Sequence, residues 1–137
     1  MSFTLHPRLV ADTTVVVDWT LSRVLLMNDK RFPWLILVPR RVGVSEIFDL
    51  DEPARVQLMT EIARAGEKLK SWAKSRGCGD KINVANIGNL IPQLHVHVVA
   101  RGKGDPAWPG PVWGAGQALP YGAAELARIV GELRQAL

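Results

Sequence analysis

The chain has 137 residues, with 17 Lys+Arg against 13 Asp+Glu and a formal net charge of +4. Hydrophobic residues make up 47% and charged residues 22%, an ordinary folded-chain composition that excludes intrinsic disorder. No apolar run approaches the roughly 20 residues that cross a bilayer, and a single cysteine, Cys78, excludes an intrachain disulfide and a Cys-based zinc cluster.

The length suits one domain spanning residues 1–137. The first residues lack the basic start and apolar stretch of a secretory signal, so cytoplasmic residence is the expectation. The sequence pI of 9.6 invites a nucleic-acid reading. The bases are scattered, however, except for Lys68, Lys70, Lys74 and Arg76, where a helix should end and cations suit its dipole. No stretch interleaves aromatics with bases as a stacking platform does. Neither nucleic acid nor membrane is expected as a partner, whereas a mild positive field suits a small phosphate-bearing substrate.

From the N-terminus, His6 to Ala11 reads as a short helical turn and Thr14 to Val17 as a β-branched strand. Arg23 to Asn28 and Trp34 to Val38 read as an antiparallel hairpin, with turn chemistry at 28–33 and Pro39 ending the pairing. Ser45 to Phe48 suits one helical turn. A long helix follows, with Asp51 as N-cap, Pro53 in the first turn and Gly77 at C′. Its apolar stripe is Leu58, Ile62, Ala65, Leu69 and Trp72. Lys81 to Ile87 reads as a strand, Gly88-Asn89 as a break, and Gln93 to Ala100 as an alternating strand. A Pro- and Gly-rich loop from Lys103 to Tyr121 leads to a terminal helix within 122–137. Without repeating βαβ units, the fold class is α+β: an antiparallel sheet of about five strands, one long helix and a C-terminal helix.

On a strand over 93–100, Gln93, His95 and His97 share one face, while Leu94, Val96 and Val98 enter the core. Three readings compete. The alternation is that of any half-exposed strand. Two imidazoles could bind zinc as a metal-binding module, but a third ligand would have to come from His6, Cys78 or a carboxylate that spacing does not gather. Alternatively, a neutral imidazole could attack phosphorus and form a covalent phosphoramidate. Gln93 could bond phosphate oxygens without titrating, and Asn83, Asn86, Gly88 and Asn89 lie upstream as sources of amide and N–H donors.

The run Gln93-Leu94-His95-Val96-His97-Val98-Val99 resembles the signature of the histidine triad (HIT) superfamily, His-φ-His-φ-His-φ-φ with φ apolar. Three further features agree in order: the hairpin from Leu25 through Asp29 and Pro33 to Arg40, the Asn- and Gly-containing stretch 83–89, and Trp108-Pro109-Gly110-Pro111. The resemblance covers about residues 20–113. It implies a HIT-like core, a homodimer and a nucleotide substrate, hydrolysed or transferred at its α-phosphate through a nucleotidyl-histidine, with no cofactor or metal. His95 falls on the nucleophile's position and His97 on a phosphate-contacting one. Asp29 falls near the position that contacts ribose, Asn83 and Asn89 fall on the phosphate loop, and Trp108 falls on the Trp-Pro element.

The departures are Gln93 at the first triad position, Trp34 near a common active-site histidine, and Leu90 where serine is common. Together with the trailing Trp-Pro-Gly-Pro-Val-Trp-Gly, Gln93 resembles a bacterial HIT-like subgroup of unassigned substrate. Gln93 cannot donate a proton to a leaving group as an imidazolium could. The departures therefore also motivate a nucleotide-binding or scaffold protein with vestigial activity. Elsewhere, Trp72 reads as core, Trp108 and Trp113 as site-closing, interface or packed indoles, Cys78 as inert, and Arg101 as a solvated strand end or a phosphate contact.

Overall fold

The computed structural model describes residues 2–137. The elements, in chain order, are α1 (Pro7–Asp12), β1 (Thr13–Asp18), β2 (Ser22–Met27), β3 (Trp34–Pro39), α2 (Glu52–Ala73), β4 (Lys81–Ala85), β5 (Val96–Arg101) and α3 (Ala123–Ala136). The strands form one antiparallel sheet in the order β1-β2-β3-β5-β4. This is the α+β class expected.

Residue alternation sorts the sheet into two unlike faces. Val24, Leu26, Leu35, Leu37, Val96, Val98 and Ala100 pack against Leu58, Ile62, Ala65 and Leu69 of α2 and Ile129, Val130 and Leu133 of α3. On the other face lie Leu25, Trp34, Ile36, Val38 and Val99, covered by Leu9, Phe32 and Val112. His97 stands opposite Ile36 in the β3–β5 register, so it belongs to this second face. The helices therefore build the larger core, and the face away from them carries the polar rings.

Helix α2 begins as its residues dictate. The Asp51 side chain accepts from Ala54 N at 2.9 Å, and Pro53 occupies the first turn. A 3-10 turn at Lys74–Arg76 tightens its end, and Gly77 closes it in the left-handed region at φ 75°. Inside α2 the buried Glu61 carboxylate accepts from the backbone N–H groups of Leu21 (2.9 Å) and Ser22 (2.8 Å) and from Gln57. It thereby satisfies donors at the β1–β2 turn that burial would otherwise leave costly.

The strand expected over 93–100 starts three residues late, at Val96. Pro92 and the departing loop keep Gln93 to His95 out of the ladder. Leu94 N is instead satisfied by Val44 O at 2.9 Å. The strand expected to reach Ile87 stops at Ala85. The residues released at both ends, 86–95, form the loop around the rings. Among the described residues no helix is long and apolar enough to cross a membrane.

Candidate active site

His95 and His97 lie side by side, their ring centroids 5.2 Å apart and their planes at 70°. Each makes bonds that fix which nitrogen carries its proton. His95 Nδ1 stands 2.7 Å from the carbonyl oxygen of Gln93. A carbonyl only accepts, so Nδ1 carries the hydrogen and Nε2 keeps a free lone pair. His97 Nε2 stands 2.7 Å from Ile87 O and donates for the same reason. Its Nδ1 accepts from the indole Nε1 of Trp34 at 3.0 Å. Both nitrogens of His97 are spent, and the ring is neutral.

Burial drives the His97 pKa down to about 4, with the neighbouring His95 adding to the shift and the Ile87 carbonyl opposing it. The Trp34 N–H also points at the nitrogen a second proton would need. Because the unfolded ring titrates near 6.5, the unfolded chain binds more protons between these values. Stability from this ring is therefore complete above pH 6.5 and is lost as pH falls toward 4, by about 3 kcal/mol. Unfolding midpoints in urea, measured from pH 7 to 4.5, should show this decline. His97→Asn should flatten it, and an unchanged slope in that variant would assign the decline to other groups.

His95 Nε2 sits at a seam between two clefts. One, of about 300 Å³, is mainly apolar, with Met27, Trp34, Ile87, Leu90, Ile91 and Trp113 in its wall and Arg8 and Asp12 at its exposed edge. The other, of about 260 Å³, is polar and includes Ser45, Glu46, Asn86 and Gln93. Gly88, Asn89, Ile91 and His95 belong to both. Gly88 approaches the buried His95 ring closely, which only a residue without a side chain can do. A Cβ built there would lie 2.2 Å from Nε2 and 2.5 Å from Cε1 of His95. Trp113 closes the apolar cleft beside the rings, its centroid 5.4 Å from that of His97 and 6.2 Å from that of Trp34.

The other candidates divide. Asn89 lines both clefts. Gln93 touches the polar cleft, but its amide is engaged elsewhere. Oε1 accepts from His6 N at 2.8 Å and Nε2 donates to Thr4 O at 2.9 Å, so the side chain grips the N-terminal segment.

Asp29, Asn83 and Trp108 lie outside both clefts. Buried Asp29 is held by the Arg31 guanidinium at 2.8 and 3.0 Å and by Leu119 N, which spends its acceptors. Asn83 stays within β4 and accepts from Arg101 Nη1 at 2.8 Å. Trp108 packs by Arg101, whose guanidinium carbon lies 5.9 Å from its ring centroid. Arg101 is not a solvated strand end: it is buried in a two-bond pair with Asp105 and lines neither cleft. That pair was hidden by the Pro- and Gly-rich composition of the segment. The spacing of Asp105 before Ala107 and Trp108, whose N–H groups it accepts, was the available signal.

Only the His95 lone pair is left free of the two adjacent rings. That is too few for a zinc site, which takes three or four protein ligands, and no group of three or more His, Cys, Asp or Glu converges among the described residues.

The HIT domain family model matches residues 8–104. The chain belongs to the HIT family. It is similar along its whole length to solved HIT proteins from three bacteria. The histidine triad protein of Bradyrhizobium japonicum is 49% identical, with 99% of this chain and 98% of that one covered at a TM-score of 0.92. A histidine triad protein of Marinobacter aquaeolei is 44% identical, with 100% and 97% covered at 0.91. One from Sinorhizobium meliloti is 41% identical, with 98% and 97% covered at 0.90. No significant match is found among curated proteins. Within this HIT domain, Trp34 bonding His97 and Gln93 gripping the N-terminal segment mark the site.

Proposed function

We propose that this HIT protein binds a nucleotide and hydrolyses or transfers its α-phosphate through a covalent nucleotidyl-His95. The observation that carries the reading is His95, a buried ring that lines both clefts and whose Nε2 is left without a hydrogen-bond partner while Nδ1 is held by Gln93 O. In this reading the base occupies the apolar cleft, where Trp34 and Trp113 offer flat surfaces. The phosphates face the polar cleft, with Asn89 and loop backbone as donors to the oxygens where charge develops.

The Nδ1–H to Gln93 O bond would stabilise the imidazolium formed when Nε2 bonds phosphorus. His97 would act as a positioning residue, holding the loop through Ile87 O and keeping positive charge away from the nucleophile. Asp29, Asn83 and Trp108 are left out of the ligand set. The reading includes a homodimer, for which the free edge of β4, with Val84 half-exposed, offers a surface.

The test is a panel of nucleoside phosphoramidates and dinucleoside polyphosphates, quenched in alkali and digested. A nucleotide mass on the peptide containing His95 is expected, and His95→Ala should lose adduct and turnover while staying folded. Equal turnover by that variant would end the assignment. Tight binding of a nucleoside monophosphate without adduct or turnover would favour a nucleotide-binding protein, the reading that the occupied amide of Gln93 and the locked ring of His97 otherwise motivate.

A further inference from the structure

The indole of Trp34 reaches His97 from the neighbouring strand. In the β3–β5 register Trp34 faces Val99, so His97, two residues earlier on β5, is its diagonal neighbour on the same face. Long side chains meet across that diagonal. The ring centroids stand 5.7 Å apart with planes at 58°, and the indole Nε1–H donates to His97 Nδ1 at 3.0 Å. Trp34 is buried, with Phe32 and Trp113 packed edge-on at 6.4 and 6.2 Å between centroids, so the indole has little freedom to turn. Proximity alone does not make such a bond. Trp113 lies 5.4 Å from the same imidazole by centroid, yet its buried Nε1–H has no partner among the described residues.

This bond decides the other end of the imidazole. An indole N–H only donates, so Nδ1 must keep its lone pair and the single hydrogen of the neutral ring goes to Nε2. Nε2 then donates to Ile87 O at 2.7 Å. Ile87 O belongs to the same planar peptide unit as the nitrogen of Gly88. Gly88 is the residue that lies against the His95 ring, so near that a Cβ there would stand 2.2 Å from Nε2. The opposite placement of the His97 hydrogen would set N–H against N–H at Trp34 and lone pair against lone pair at Ile87, losing both bonds together. A side chain without an N–H at position 34 removes that restriction and lets His97 carry its hydrogen on either nitrogen.

Resting on the nucleotidyl-histidine reading above, we infer that Trp34 is a positioning residue for His95: its N–H fixes the hydrogen of His97 on Nε2, and His97 thereby holds the Ile87–Gly88 peptide against the His95 ring. The indole has two roles that separate by atom. Its flat face borders the apolar cleft, and its N–H serves His97.

The test removes the N–H and keeps the face. Trp34 is replaced by benzothienylalanine, a tryptophan isostere with sulfur in place of the indole N–H that preserves the buried volume, and in a second protein by phenylalanine (Trp34→Phe). Histidine-selective nitrogen NMR of the ligand-free proteins reads which nitrogen of His97 carries hydrogen. Values of kcat and KM are measured on a dinucleoside polyphosphate and a nucleoside phosphoramidate, with His95→Ala as the blank. The wild type should show hydrogen on Nε2 of His97 alone, and the isostere should show both placements. In the isostere kcat should fall by about 10- to 100-fold, the larger figure being the cost of an ångström of misplacement. Its KM should stay near the wild-type value because the face is retained, whereas Trp34→Phe should lose kcat and raise KM together. Hydrogen on Nδ1 of wild-type His97, an isostere whose His97 signals are unchanged, or an isostere with altered signals and wild-type kcat overturns this inference and leaves the nucleophile standing. Absence of His95-dependent turnover by the wild type on both substrates overturns the function itself, and this inference with it.

Discussion

Gly88→Ala should silence the site while the protein stays folded. The added methyl lies 2.2 Å from His95 Nε2, the nitrogen proposed to bond phosphorus, far inside van der Waals contact. Relief requires either a swing of the His95 ring, which breaks its bond to Gln93 O, or a shift of the loop away from the clefts. Either movement displaces the nucleophile by an ångström or more, a misplacement that costs roughly 100-fold in rate. The backbone at Gly88 has φ 157°, rarely adopted by L side chains, so a further loss of about 1–3 kcal/mol in stability is expected. The signature is a kcat reduced at least about 100-fold with far-UV circular dichroism unchanged. Wild-type turnover by Gly88→Ala would place the reacting nitrogen somewhere other than against this loop.

Asp105→Ala should produce the largest loss of stability of any single polar substitution in the chain. The Asp105 carboxylate accepts from Arg101 Nε at 2.7 Å and Nη2 at 3.0 Å, and from the backbone N–H groups of Gly102, Ala107 and Trp108. Both side chains are almost fully buried, at 2% and 1% exposure. Burial alone would raise the Asp105 carboxyl. The Arg101 guanidinium and the backbone donors outweigh it and hold the group below the usual carboxylate range.

Truncation leaves a buried guanidinium with Asn83 as its remaining hydrogen-bond partner and no counter-charge, and breaking such a pair costs about 3–5 kcal/mol. For a chain of this size the melting temperature should fall by roughly 10–20 °C. Asp105→Asn retains the shape but removes the charge and should fall between the two. Replacing both partners together, as Arg101→Met with Asp105→Leu, should cost less than Asp105→Ala alone, because no charge is left stranded. A double variant less stable than the single one would show that the backbone bonds of Asp105, rather than its charge, hold the segment.

The contrast between these two positions shows what a sequence discloses. The strand pairing and α2 were legible because apolar spacing and capping residues act locally: Asp51, Pro53 and Gly77 mark the helix without knowledge of its partners. The two rings were legible because alternation sets His95 and His97 on one side and Val96 and Val98 on the other. What stayed hidden was decided by distant partners. Arg101 and Asp105 are only four residues apart, yet their pairing depends on a buried setting shared with Phe32 and Asn83. Gln93 was expected to serve a ligand beside the rings, but its amide is held by the Thr4 carbonyl and the His6 N–H. Asp29 kept its place in the hairpin but gave its oxygens to Arg31 and Leu119. In each case a polar side chain is held by a partner elsewhere in the chain.

The grip of Gln93 on residues 4–6 carries a practical corollary. The same residue presents the carbonyl that steers His95, so the front of the polypeptide is mechanically linked to the ring proposed to react. Affinity tags and fusion partners belong at the far terminus, after Leu137, where α3 ends in the helix-side layer. Leader peptides joined ahead of Phe3 would pull on the peptide unit that orients His95.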